Sequence, residues 1–190
     1  MDYALIPTPA GPFTLVVDVD GAVLTSGFTT DLGELWPQVH PTLRPAEELR
    51  ERADLGEATR AVTRYFDGEL TAIDKVEVRQ RGGEFIGAAW DVLRTVTTPV
   101  TYSEFAALAG RPAAVRAAAQ ACARNAVALF VPCHRVIRTD RSKTAGSGAQ
   151  PLNVPIRRGS EDARLRSSLG GFRWGLKVKE QLLHHEASIR

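Results

Sequence analysis

Cysteine is scarce in this chain, two residues in 190, which excludes a disulfide scaffold. Long apolar runs are missing too. Ala126 to Val131 is among the longest, and it falls far short of the roughly 20 residues a membrane-crossing helix needs. The N-terminus, Met1-Asp2-Tyr3-Ala4, shows no positive stretch followed by an apolar one, so no export signal is expected. Nor do Cys and His cluster at zinc-finger spacing, so neither a metal nor any other cofactor is expected. These absences point to a reduced protein of the cytoplasm that does not engage a membrane. Hydrophobic residues at 44% and charged residues at 24% fit an ordinary folded chain, with room for one large or two small domains.

Acidic residues are unevenly shared. Residues 1–78 carry a charge balance of −8 and residues 79–190 one of +10, within an overall +2. Such segregation suggests one half that stays off a polyanion and one that meets it. A merely solvated basic surface would give the same count.

The first half reads as a small α+β unit. Phe13 to Val19 predicts a strand, Asp20-Gly21 a tight turn, and Ala22 to Phe28 the returning strand. Residues 45–55 and 57–67 carry helical spacing, with Ala61, Val62, Tyr65 and Phe66 on one side of the second segment. Ile73 to Val78 is a candidate further strand. No constellation of reactive groups occurs here, and the unit reads as a scaffold.

After Arg81-Gly82-Gly83 the pattern becomes helical. Phe85 to Val96 forms one segment. Glu104 to Ala109 forms a second, with Ser103 as a candidate N-cap. Gly110-Arg111-Pro112 makes a turn, and Ala113 to Arg124 forms a third helix. Helix, glycine turn, helix is the outline of a helix-turn-helix, though any two neighbouring helices can imitate it. The third helix is rich in alanine, with two arginines among very small side chains, and is slim enough to press into a narrow groove or simply to pack against its neighbours. Residues 138–169 follow as a polar, basic stretch, and Leu176 to Glu186 closes the chain as an amphipathic helix.

Reactivity concentrates in Val131-Pro132-Cys133-His134-Arg135-Val136. A thiol is a useful nucleophile only as thiolate, and an adjacent imidazole or cation is the usual means of producing one. A lone cysteine at the end of an apolar run is more often a small buried hydrophobe. The flanking Pro, His and Arg favour the nucleophile.

That motif sits between Arg124-Asn125 and a later Gly-Phe-Arg-Trp-Gly-Leu-x-x-Lys. Tyr65-Phe66-x-Gly-Glu, Thr101-Tyr102-Ser103-Glu104 and Lys-Glu-x-Leu-Leu-x-x-Glu fall in matching order around it. The ordered set resembles the O6-alkylguanine-DNA alkyltransferases, also called methylated-DNA–protein-cysteine methyltransferases, over nearly the whole chain. The resemblance implies an α+β protein with a ribonuclease H-like N-terminal domain over 1–78. A winged-helix-like DNA-binding domain over 79–190 would follow, with a basic insertion at about 138–169. It implies a monomer that binds double-stranded DNA containing O6-alkylguanine in the minor groove, flips the base out and takes the alkyl group onto itself, once per molecule.

Carried over residue by residue, the resemblance makes Cys133 the acceptor. His134 takes the thiol proton through a water, Glu186 orients His134, and Asn125 shapes the loop. Tyr102 donates to the guanine ring with help from Lys179. Gly171, Phe172 and Arg173 supply a wall and a backbone N–H, and Val136 lies beside them. Arg116 fills the space left by the flipped base, and Ala114, Ala117, Arg124 and Arg135 complete the DNA contacts, although Arg135 by itself reads more as a partner of backbone or carboxylate groups. Cys122, His184 and His185 are read as packing or surface residues. The chain departs from the family pattern in its long insertion, in Phe172 where tyrosine is common, and in Ala126 where proline is often seen. The alternatives are a module that binds the lesion without repairing it, a small-molecule cysteine hydrolase and a transcription regulator. The reactive cysteine, the basic half and the lack of base-reading side chains on the third helix count against them in turn.

Overall fold

A computed structural model describes residues 1–44, 48–138 and 169–190. The N-terminal part is a four-stranded sheet in the order β3-β2-β1-β4, built from β1 (Asp2–Thr8), β2 (Gly11–Val17), β3 (Val23–Gly27) and the short β4 (Arg50–Glu51). β2 is buried from Phe13 through Val17 on both faces, apolar except for Thr14, whose hydroxyl donates to Thr29 O at 2.5 Å, as expected of a covered strand. The β2–β3 turn is closed by Asp18, whose Oδ1 accepts from the backbone N–H of Asp20 and of Ala22. Gly21 sits there in the left-handed region at φ 88°, where other residues are strained.

The helical spacing at 57–67 forms α2 (Glu57–Phe66), with Ala58, Ala61, Val62 and Tyr65 buried. The spacing at 45–55 does not form a helix over its described part. There Arg50 and Glu51 pair in parallel with Asp2 and Tyr3. Arg50 and Arg52 both reach Asp2, at 3.2 and 3.1 Å. An open sheet edge next to β1 gives these backbone groups partners that local propensity does not foresee. Ile73 to Val78 also differs from expectation. Ala72–Lys75 is a 3-10 turn, and only a single bridge, Val23 with Val78, touches the sheet. A short helix α1 (Leu32–Leu35), capped by Asp31, was not foreseen.

The second half follows its predicted outline closely, as α3 (Glu84–Thr95), β5 (Val100–Thr101), α4 (Tyr102–Leu108) and α5 (Val115–Ala123). The cap of α4 is Thr101 and not Ser103. Thr101 Oγ1 accepts from the Glu104 N–H while the Glu104 side chain accepts from the Thr101 N–H, a reciprocal pairing that needs the Thr-x-x-Glu spacing. Gly110 ends the helix at φ 77°. Trp90 of α3 donates its indole N–H to the Ala121 carbonyl of α5 at 2.9 Å. The chain then runs through a 3-10 turn at Cys133–Arg135 into β6 (Val136–Ile137), which pairs in parallel with β5. The last helix is α6 (Leu176–Ile189). Most of the predicted insertion, residues 139–168, lies outside the described residues.

The halves share one core, in which Phe13, Leu15 and Val23 of the sheet join Leu93, Phe105, Phe130 and Leu182. They are also sewn together by backbone. Ser26 of β3 donates its N–H to Ala126 O at 2.9 Å and accepts from the Ala128 N–H at 3.2 Å. The hydroxyls of Thr25 and Ser26 donate to Ala126 O and Ala128 O at 2.9 and 2.8 Å. No helix among the described residues is long and apolar enough to cross a membrane.

Candidate active site

Every residue from Asn125 to Ile137 is buried, although little of this stretch is helix or strand. Its polar groups are therefore met one at a time. Asn125 Nδ2 donates to Val131 O at 2.7 Å and to Cys133 Sγ at 3.2 Å, and its Oδ1 accepts from the Val127 N–H at 3.0 Å. Ala126, standing where a proline could not donate, gives its N–H to Gln80 Oε1 at 2.9 Å. Leu129 holds a left-handed φ of 72°, unique among the described non-glycine residues. Such a conformation costs energy and persists only where packing dictates it.

Cys133 borders a cavity of about 270 Å³, lined also by Tyr102, Ala119, Cys122, Ala123, Asn125, Ala128 and the Gly171–Trp174 segment. Pockets for drug-sized ligands run from about 300 Å³ upward, so this one suits a single flat ring system. Burial pushes the Cys133 thiol above its usual range, against the opposing pull of Asn125 and Lys179. The resting group is a thiol, and it needs a base.

The neighbouring His134 is fully buried. Its Nε2 lies 2.9 Å from Glu186 Oε1, and its Nδ1 is a buried atom with no hydrogen-bond partner among the described residues. Burial would push the Glu186 carboxyl up, but His134 and Arg135 more than reverse this and hold it well below the usual carboxylate range. An ionised Glu186 requires Nε2 to carry the proton, which leaves the lone pair on Nδ1. Burial, opposed by Glu186, lowers the pKa of His134 and keeps the ring neutral.

Arg135 stood among the DNA contacts that the resemblance implies, while the residue itself read as a partner of backbone or carboxylate groups. The structure shows the second, with Arg135 only 3% exposed. Its Nε and Nη2 donate to Glu186 Oε1 at 3.0 and 2.8 Å, and its Nη1 donates to Val96 O at 2.5 Å. A guanidinium so placed is committed to a buried carboxylate, since removing it would strand that charge. Lys179 is likewise buried, with Nζ donating to Val136 O at 2.6 Å and Gly171 O at 3.3 Å. It ties the cysteine-bearing strand to the cavity wall, and burial brings its pKa down to about 8. Tyr102 is half-buried on the opposite side, and burial pushes its pKa up to about 12. Gly170, at φ 70°, lets the backbone pass it; a Cβ there would sit 3.1 Å from the Tyr102 ring.

The structure thus brings Cys133, His134, Glu186, Asn125, Tyr102, Val136, Gly171, Phe172, Arg173 and Lys179 into one connected group around and behind the cavity. Arg173 donates to the Ala123 carbonyl at 2.9 Å, across the C-terminal end of α5. Arg116 and Arg124 are exposed, while Ala114 and Ala117 are partly buried. A DNA-binding-domain pattern described as 6-O-methylguanine DNA methyltransferase matches residues 84–156. A methylated-DNA–protein-cysteine methyltransferase of Methanosarcina acetivorans is 32% identical over 190 residues, covering 99% of each chain. The chain belongs to the methylated-DNA–protein-cysteine methyltransferase family.

Two further relatives place it within that family. It is 37% identical over 109 residues to the bifunctional transcriptional activator and DNA repair enzyme Ada of Escherichia coli, covering 56% of this chain but only 23% of Ada. The crystal structure of Mycobacterium tuberculosis OGT in complex with DNA superposes with a TM-score of 0.70 at 26% identity, over 100% of this chain and 94% of that one. In this methyltransferase-family chain, sequence reasoning missed three things. Cys122, read as packing, lines the cavity beside Cys133. His185, read as a surface residue, bonds the Tyr65 carbonyl at 2.9 Å. The Tyr65 hydroxyl reaches Glu186 from the N-terminal half. Tyr65 was legible as a buried position, but nothing in the sequence links positions 65 and 186. Among the described residues, no three His, Cys, Asp or Glu side chains gather as a metal site.

Proposed function

We propose that this protein repairs O6-alkylguanine in DNA by moving the alkyl group onto Cys133. The observation that carries the reading is a buried thiol at a ring-sized cavity, next to a neutral His134 with Nδ1 free and Nε2 held by Glu186. His134 takes the thiol proton and becomes imidazolium beside an ionised Glu186. The Cys133 sulfur attacks the alkyl carbon in line, the carbon–O6 bond breaks, and its electrons return to the guanine. Tyr102, which keeps its proton at neutral pH, donates a hydrogen bond to the departing ring. A thioether offers water no leaving group, so the thiol is not regenerated and one molecule repairs one lesion.

The partner is double-stranded DNA. A base stacked in a duplex cannot reach a buried sulfur, so the target nucleotide leaves the stack. The alanine-rich α5, with Arg116 and Arg124 exposed, suits insertion into a minor groove, with Arg116 in the space the base vacates. The finer domain reading remains a ribonuclease H-like unit over 1–78 and a winged-helix-like unit over 79–190. The mixed sheet in the first, and the α4–turn–α5 outline with the short β5–β6 pair in the second, support it. The protein is read as a cytoplasmic monomer.

The test is intact-protein mass spectrometry after mixing with a duplex holding one O6-methylguanine. A single added methyl, located on Cys133 and absent in Cys133→Ser, is expected. The variant should still bind the duplex. Tight binding of the wild-type protein with no added mass would overturn the transfer reading.

A further inference from the structure

Tyr65 belongs to α2, far from the Cys133 motif in sequence, and its side chain is fully buried. Its hydroxyl donates to Glu186 Oε1 at 2.8 Å. The same oxygen faces His134 Nε2 at 2.9 Å and accepts from Arg135 Nη2 at 2.8 Å. A carboxylate oxygen has two lone pairs, so the donors on Oε1 share it. Each added donor spreads the carboxylate charge and weakens its pull on the others.

We infer that Tyr65 is a positioning residue for alkyl transfer: by occupying Glu186 Oε1 beside His134, its hydroxyl keeps the imidazole neutral, with Nδ1 free to take the Cys133 proton. The inference rests on the reading of His134 as base given above. A tyrosine that merely satisfies its own hydroxyl in a core would be a packing group. The two roles differ in what they do to titration.

The groups around His134 set the sign. Cys133 and Arg135 flank it in sequence. Lys179 and Glu186 face it from α6, and Arg190 reaches Glu186 Oε2 at 3.3 Å. Asp74, in the turn at Ala72–Lys75, feels both Arg135 and Glu186. His185 packs on the Tyr65 ring with centroids 5.3 Å apart. Among these, Tyr65 is an uncharged donor to the oxygen that holds the imidazole. Tyr65→Phe keeps the ring and removes the donor, so Glu186 has more charge to offer and the imidazolium is favoured.

The experiment measures His134 twice. The ring is titrated by NMR in the full-length protein without DNA, assigned with His134→Gln. Single-turnover methyl transfer from an O6-methylguanine duplex is followed between pH 5 and 9. In Tyr65→Phe the His134 midpoint should rise by about one pH unit, the worth of a hydrogen bond to a charged acceptor. Transfer should fall up to about tenfold below the midpoint and return to the wild-type rate well above it. An unchanged midpoint in the folded variant, or a rate loss equal at every pH, overturns the inference. If Tyr65→Phe does not fold, 3-fluorotyrosine placed at position 65 keeps the ring and donates more strongly. The midpoint must then fall, and a rise or no movement overturns the inference. A wild-type protein that takes up no methyl would sink the repair reading, while the NMR titration still decides the coupling of Tyr65 to His134.

Discussion

The sheet strands β2 and β3 and the segment Asn125–Ile137 are largely buried, yet they are held by different means. In the sheet, backbone pairs with backbone along ladders such as Asp2 with Val17 through Thr8 with Gly11, so most side chains are free to be chosen for packing. In the segment, scattered backbone pairs are joined by side chains that meet backbone groups one by one: Thr25 and Ser26 from β3, Gln80 ahead of α3, Lys179 from α6, and Asn125 itself. A ladder tolerates the loss of a side chain because the backbone keeps its partner. A segment pinned by single side chains does not, and in return it can hold a cysteine, an imidazole and a strained Leu129 in a shape no helix or strand offers.

That contrast can be broken at Arg135. Arg135→Ala leaves Glu186 buried with its main cation gone, and it should cost about 3–5 kcal/mol in urea unfolding. A cost below 1 kcal/mol, like that of an exposed sheet residue, would erase the distinction. Asn125→Ala strands the Val127 N–H in the interior, leaves Val131 O with the Cys133 N–H alone, and should cost about 1–3 kcal/mol. It should also slow methyl transfer, by removing the donor at Cys133 Sγ. Stability and rate measured on the same sample show whether the clasp and the chemistry are separable.

The smallest expected effect sharpens the comparison through pH. Lys179 has its pKa brought from 10.5 down to about 8 in the folded state. The unfolded chain therefore binds the extra proton across the window between those values, and stability rises with pH there. Between pH 8 and 9 the gain is about 1 kcal/mol, and Lys179→Met should lack it. Equal slopes for the two proteins would mean that Lys179 is not desolvated.

The sequence was most readable where chemistry and spacing coincide. Cys133 beside His134 and the apolar stripe of α2 each carry their meaning within a few residues, whereas the cap of α4 was expected at Ser103 and lies two residues earlier at Thr101. The helix expected at 45–55 failed over its described part because β1 offers an edge that only the folded sheet reveals. Arg135 read as a partner of backbone or carboxylate groups, against the DNA contact the resemblance implies, but the sequence could not say which carboxylate. Its partner Glu186 lies 51 residues away, and a buried ion pair across that distance leaves no local mark. Tyr65 escaped for the same reason.

Gly27 is the last residue of β3, and a Cβ built on it would fall 2.0 Å from Cζ2 of Trp174. Trp174 belongs to the cavity wall, and its indole presses against a strand laid down near the start of the chain. Position 27 and position 174 are thus one unit of inheritance: a lineage that replaces the glycine must also trade the tryptophan for something slimmer, and with it reshape the chamber beside Cys133. Selection for a different lesion would leave its trace in β3 as well as around the cysteine.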